Sequence, residues 1–298
     1  MGKNTSMQPR KQTANQMSDR AYVGPADIER LDRSAILHRT SCGEGELVWR
    51  QWGKGPVLIL VHGGFGCWKH WARNIGELSK SFTVYAVDLP GLGDSDPAPD
   101  ASSAQGVASV LEQGIDVLFK KDEPIYIGAF SLGAAISASL IRSLGDRVRH
   151  ALLIGASGIG LMWYPAIEKL ARRSSKMSVE EQREVIRQNL AVSMIADRGL
   201  IDEDTISLQF DMLAQKRRLI GLPISQSNIV LECLSTIGKR TTFVWGEFDL
   251  YLKPDLNAVI KDLNSRVSGL DIRTIKGAGH WANFEADEVV SNMLLDMP

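Results

Sequence analysis

Residues 124–135 read PIYIGAFSLGAA, and this stretch decides the fold. Ile125–Ile127 is a short branched-apolar run of the kind buried on both faces of a sheet. Small residues then crowd around Ser131: Gly128 and Ala129 before it, Gly133, Ala134 and Ala135 after it. A helical pattern of small and apolar residues continues to Leu144. A strand that bends sharply into a helix with a serine at the bend is the chemistry of a nucleophile elbow. Large side chains two positions either side of the serine would not fit so tight a turn. The pattern is G-x-S-x-G, with Ala129 standing where the first glycine would be.

Three more loops of the same kind lie outward from this one. Upstream, the apolar run Pro56–Val61 is followed at once by His62-Gly63-Gly64-Phe65-Gly66. Glycines there free the backbone to turn N–H groups toward a developing oxyanion. Downstream, Thr241–Trp245 runs into Gly246-Glu247-Phe248-Asp249. Asp249 is placed to orient an imidazole, and Glu247 is its local competitor. Finally Asp271–Ile275 leads into Gly277-Ala278-Gly279-His280-Trp281, a histidine in a glycine-rich loop. Nucleophile, acid and base thus occur in the order Ser131, Asp249, His280, each just past the end of a predicted strand. His38, His70 and His150 are read as structural or exposed. His62 is expected to bond backbone around its own loop rather than act as a base.

The rest of the chain alternates in the same rhythm. Strands are predicted over 33–40, 46–52, 56–61, 82–87, 124–127, 148–154, 241–245 and 271–275. Helices are predicted over 69–80, 103–119, 134–144 and 285–295. Such alternation argues for a mostly parallel eight-stranded sheet covered by helices. Residues 1–30 read as a flexible polar leader, and 31–155 with 238–298 as the α/β core. Residues 156–237 hold no good strand. They read as helices near 164–172, 178–194, 205–216 and 228–237, a helical cap inserted between the sixth and seventh strands. The cap offers Leu161, Met162, Trp163, Tyr164, Met177, Met194, Phe210 and Met212, which either pack it onto the sheet or meet an apolar substrate.

Composition excludes several classes. The 298 residues are 44% apolar and 23% charged, with a net charge of -1. A disordered chain would be poorer in apolar residues. Nucleic acid and anionic membranes need clustered cations, which are absent. No segment nears the ~18 apolar residues that cross a bilayer. Cys42, Cys67 and Cys233 are neither a disulfide framework nor spaced for zinc, so a reducing, cytoplasmic setting is expected. No metal or cofactor is called for. The expected partner is a small-molecule substrate, with a homo-oligomer left open.

At these residues the chain resembles the α/β-hydrolase superfamily over nearly its full length after the leader. The resemblance implies Ser131 as nucleophile, Asp249 as acid and His280 as base, with the backbone N–H groups of Gly64 and Leu132 as oxyanion donors. Phe65, Phe130 and Trp281 are the implied pocket neighbours. Asp88 and Asp94, in the loop DLPGLGDSD, are implied to be structural. Within the superfamily, GHWANFEADE and ADRGLIDEDTISLQF are similar to segments of meta-cleavage-product hydrolases. Those enzymes usually carry asparagine before the serine, a cap arginine for a dienoate, and a proline in the oxyanion loop. Here Phe130 and Gln209 occupy the first two positions and the proline is missing. Hydrolysis of a carboxylic ester or lactone of a small apolar or aromatic molecule is therefore expected. Carbon–carbon bond hydrolysis of a dienoate, or a non-catalytic ligand-binding role, are the alternatives.

Overall fold

The computed structural model describes residues 24–160, 170–214, 222–252 and 255–297. Its centre is an eight-stranded sheet in the order β1-β2-β4-β3-β5-β6-β7-β8. The strands are β1 Ile36–Cys42, β2 Gly45–Trp52, β3 Val57–Val61, β4 Thr83–Val87, β5 Ile125–Phe130, β6 Val148–Ile154, β7 Thr241–Gly246 and β8 Asp271–Ile275. β1 pairs β2 and β2 pairs β4 in antiparallel fashion; every other neighbour is parallel. β3 lies between β4 and β5, so the chain leaves it first to one side and later to the other. Such a switch point opens a crevice at the carboxyl ends of the strands.

The central strands are apolar throughout because both faces are covered. Along β3, Val57, Ile59 and Val61 point into one core, and Leu58 and Leu60 into a second on the opposite face. The first core is closed by α3 (Ala104–Leu118) and α4 (Leu132–Leu144), the second by α1 (Pro25–Ser34) and α2 (Ala72–Leu78) with the last helix of the chain. Caps in the sequence fix several helix starts. The Ser103 hydroxyl accepts from the Gly106 N–H at 2.9 Å, and Pro25 takes the first position of α1, where its missing N–H costs nothing.

Between β6 and β7 the described residues form helices and no strand: α5 (Val179–Ser193), α6 (Glu203–Ala214), the short α7 (Leu222–Ser225) and α8 (Ile229–Ile237). Ser178 and Glu181 close a reciprocal capping box on α5. α8, read from sequence as the last cap helix, instead packs on α4 and adds Val230, Cys233, Leu234 and Ile237 to the first core.

Other boundaries also move. Helix α1 begins at Pro25, inside the stretch read as a leader to residue 30, and it takes Arg33 and Ser34 from the predicted first strand. The earlier leader residues lie outside the described residues. So do 161–169, which include Leu161–Tyr164 and most of the predicted helix 164–172; residues 170–172 are not helical. The predicted helix 69–80 is a 3₁₀ turn over Trp68–Trp71 and then α2. Helix α9 (Leu256–Arg266) was not anticipated. The closing helix divides into α10 (Ala282–Glu285) and α11 (Asp287–Leu295). No helix among the described residues is long and apolar enough to cross a membrane. Cys42, Cys67 and Cys233 are buried and unpaired.

Candidate active site

Strand register sets the site. Val61 at the end of β3 stands beside Ala129 of β5, so His62–Gly64 and Phe130–Leu132 leave the sheet as neighbours. Ser131 has φ 53° and ψ −116°, a left-handed conformation rare for a residue with a Cβ. Its N–H donates to the Ile154 carbonyl of β6 at 2.8 Å, which holds the bend in place. Glycine is required two residues on: a Cβ at Gly133 would sit 2.4 Å from the His62 carbonyl oxygen and 2.8 Å from that of Val61. Two residues before the serine the demand is weaker. The Ala129 methyl is fully buried in the first core, so alanine there is accommodated.

The three side chains proposed from sequence converge. His280 Nε2 lies 2.9 Å from Ser131 Oγ, and His280 Nδ1 lies 2.8 Å from Asp249 Oδ2. The other Asp249 oxygen accepts from the Tyr251 N–H at 3.0 Å. The Asp249 and His280 side chains are only 1% and 4% exposed, which strengthens their interaction by excluding water. With the carboxylate accepting from Nδ1–H, Nε2 is the free acceptor facing the serine hydroxyl. Glu247, the competing carboxylate, is exposed and accepts from the Gly277 N–H at 2.9 Å. The imidazole is packed by Tyr251 at 4.4 Å and Phe130 at 5.1 Å between ring centroids.

The backbone beside Ser131 is arranged by a second histidine. Gly63 carbonyl and Gly64 N–H belong to one trans peptide, so fixing the oxygen aims the N–H the opposite way. Fully buried His62 donates from Nδ1 to the Gly63 carbonyl at 2.7 Å. Its Nε2 accepts from the Leu89 N–H at 2.8 Å, which fixes the neutral tautomer. Gly64 lies against Leu132: a Cβ on Gly64 would touch Leu132 Cδ2 at 3.6 Å. Leu132 is the first residue of α4, where an N–H has no acceptor within the helix. A peptide N–H on one side and a helix start on the other can serve one oxyanion. Buried His70, one of the histidines expected to be structural or exposed, also supports this loop. Its Nδ1 accepts from the Gly63 N–H at 3.2 Å.

The predicted pocket neighbours divide. Phe65 is 52% exposed, with φ 58°, on the loop beside Ser131. Phe130 and Trp281 are 1% and 0% exposed, so neither offers a face to a ligand. Strand alternation turns Phe130 into the second core, and Trp281 stacks on Phe284 at 4.2 Å. Met212 is likewise buried in that core, whereas Met194 lines an apolar hollow. That hollow measures about 230 Å³ and is bounded by Met194, Ile195, Phe248, Leu250 and His280, with Arg198 also at its edge.

Asp88 and Asp94 are structural. Asp88 accepts from the Trp68 N–H at 2.8 Å and from Arg50 at 3.0 Å, and the same guanidinium reaches Asp32 and Asp94. Burial lifts the Asp88 carboxyl to about 6, even with Arg50 beside it holding it down. Glu285, which carried no role in the sequence reading, is buried against the His280 loop, and burial raises its carboxyl above the ordinary range.

The chain is 22% identical over 282 residues to a 2-hydroxy-6-oxononadienedioate/2-hydroxy-6-oxononatrienedioate hydrolase of Escherichia coli, a match covering 91% of this chain and 93% of the relative. Among solved structures it superposes on a meta-cleavage product hydrolase from Pseudomonas fluorescens with a TM-score of 0.69 and 18% identity, covering 87% of this chain and 96% of the other. A thermophilic esterase from Thermogutta terrifontis gives a TM-score of 0.64 at 20% identity, covering 88% and 97%. At such identities the structures speak for the fold alone. A family model described as Alpha/beta hydrolase family matches residues 58–292, most of the chain and every strand from β3 onward. The chain therefore belongs to the Alpha/beta hydrolase family of enzymes.

Proposed function

We propose that this enzyme is a serine hydrolase that cleaves a carboxylic ester or lactone of a small apolar or aromatic molecule through an acyl-enzyme. The observation that carries the reading is the continuous line Ser131 Oγ to His280 Nε2 to Asp249, at 2.9 and 2.8 Å. Ser131 attacks the carbonyl carbon while Nε2 takes its proton. Asp249 holds the imidazole and stabilises the imidazolium. The N–H groups of Gly64 and Leu132 receive the oxyanion. His280 then protonates the leaving oxygen, the tetrahedral species collapses, and water activated by the same nitrogen releases the acid.

The apolar substrate class rests on the hollow beside His280, whose rim carries Met194, Phe248 and Leu250. Helices α5 and α6 are assigned the role of cap over this side of the sheet. By sequence, Gln209 on α6 falls where the meta-cleavage-product hydrolases carry a cap arginine, and this favours the ester reading, while the exposed Arg198 at the edge of the hollow is the group a dienoate carboxylate would have to use. The unpaired cysteines favour a reducing, cytoplasmic setting.

Labelling by a fluorophosphonate tests the nucleophile. Wild type is expected to label and Ser131→Ala not to; an unlabelled wild type would leave only a ligand-binding role. A panel of short-chain aryl esters beside a 2-hydroxy-6-oxo-dienoate tests the bond cleaved. Faster turnover of the dienoate would overturn the ester assignment.

A further inference from the structure

The loop that carries His280 is bolted to the stretch that follows α5, and one carboxylate makes most of the bolt. Glu285 Oε1 accepts from the N–H groups of Ala196 and Asp197 at 2.8 and 2.9 Å, and its Oε2 accepts from the Gly279 N–H at 2.6 Å. The Trp281 N–H adds a bond to the Met194 carbonyl at 2.8 Å. The two backbones lie in direct contact: a Cβ on Gly279 would come within 2.9 Å of both the Ala196 nitrogen and the Met194 oxygen. Glu285 itself is 5% exposed. Burying a carboxylate is unfavourable unless it is fully hydrogen-bonded, and here three backbone donors do this with no cationic partner among the bonds they form. The donors sit on both sides of the seam, one immediately before the base and two immediately after α5. Residues 194–196 also wall the apolar hollow.

We propose that Glu285 is a positioning residue: its carboxylate locks residues 194–197 onto the Gly279–Trp281 backbone, so that the reach of His280 to Ser131 and the wall of the substrate hollow are set together. The proposal rests on the serine-hydrolase reading for its consequence in rate, though the lock itself is a matter of geometry. Glutamine is nearly isosteric with glutamate but replaces one acceptor oxygen by an NH₂ group. It cannot accept on both sides of the seam at once, so the bridge is broken and both segments are released from each other. A displacement of the base by a fraction of an ångström then slows the reaction while leaving the fold intact, since near-attack geometry is worth up to ~10² per ångström.

The test compares wild type, Glu285→Gln and Gly279→Ala, which forces the same seam apart by bulk while leaving the carboxylate charged. The readouts are the rate of fluorophosphonate labelling well below each protein's melting temperature, kcat and KM on an aryl ester, and amide exchange at 194–197 and 279–281. In both variants labelling and kcat are expected to fall about 10-fold or more, and exchange to accelerate on both sides of the seam. A residue of purely structural importance would lower the melting temperature without slowing the folded enzyme. Labelling within 2-fold of wild type in both variants overturns the proposal, as does exchange that accelerates on one side only. Should wild type itself not label, the hydrolase reading fails, and the exchange result alone then decides whether Glu285 couples the two segments.

Discussion

Replacing Gly133 by alanine tests whether the elbow and the oxyanion loop are one rigid unit. The new methyl carbon would lie 2.4 Å from the His62 carbonyl oxygen, and contacts under 3.0 Å essentially do not occur for a Cβ. The gap between β3's end and the start of α4 must therefore open by about 0.6 Å. Backbone opposes backbone here, so no side chain can swing aside. The same opening moves both proposed oxyanion donors, since Leu132 N–H is on α4 and Gly64 N–H is on the His62 loop. At ~10² per ångström the labelling rate should fall about 10-fold. Stability responds less clearly. Overpacking costs ~1–3 kcal/mol, while alanine in place of glycine within a helix returns up to ~1 kcal/mol. The net loss is about 1 kcal/mol, a drop of about 2–4 °C in melting temperature. The assay is the fluorophosphonate labelling rate of the purified variant beside its thermal melt. A variant that labels at the wild-type rate with an unchanged melt would refute the claim that this contact gauges the oxyanion geometry.

Ser131→Gly should abolish labelling yet raise the melting temperature. Relief of ~1–3 kcal/mol of left-handed strain exceeds the ~0.5–1 kcal/mol of added chain entropy, and differential scanning fluorimetry reads the sign. His62→Leu frees the Gly63–Gly64 peptide to rotate and strands the Leu89 N–H, so kcat should drop ~10²-fold, the size of one lost oxyanion donor, with KM little changed; steady-state kinetics on an aryl ester check it. Asp88 links stability to pH. Its folded value of about 6 lies above that of the unfolded chain, so its contribution is present below about pH 4 and is lost as pH rises through about 6. Urea unfolding from pH 4 to 7 should show wild type losing up to ~3 kcal/mol relative to Asp88→Asn across that interval, and parallel curves for the two proteins would contradict the assignment.

The strands and the triad were readable because each carries a signal in adjacent residues. β3 is five apolar residues in a row, and Ser131, Asp249 and His280 lie one, three and five residues past the ends of β5, β7 and β8. The pocket residues were not readable, because neighbours in sequence point to opposite sides of a strand. Phe130 precedes the nucleophile yet faces the second core, and Trp281 follows the base yet stacks on Phe284. His70 and Glu285 act through contacts that no local pattern encodes. The Glu285 partners Ala196 and Asp197 are 89 and 88 residues away. α9 does carry a signal in the sequence: Asp255 caps its start by accepting from the Ala258 N–H, and Val259 and Leu263 recur four apart on its buried side. α8 shows the reverse error, a helix rightly expected but packed on the sheet's own helix α4.

The separation between nucleophile and base along the polymer has a consequence for biosynthesis. Ser131 and His280 are 149 residues apart, and the imidazole is delivered by the outermost parallel strand, β8. A nascent polypeptide emerging from the ribosome can complete the elbow and the oxyanion loop long before residue 280 has been translated. During that interval the serine has no base and stays inert. Reactivity toward a fluorophosphonate therefore reports the docking of the final strand, and the hydroxyl cannot attack bystander esters while the fold is half made.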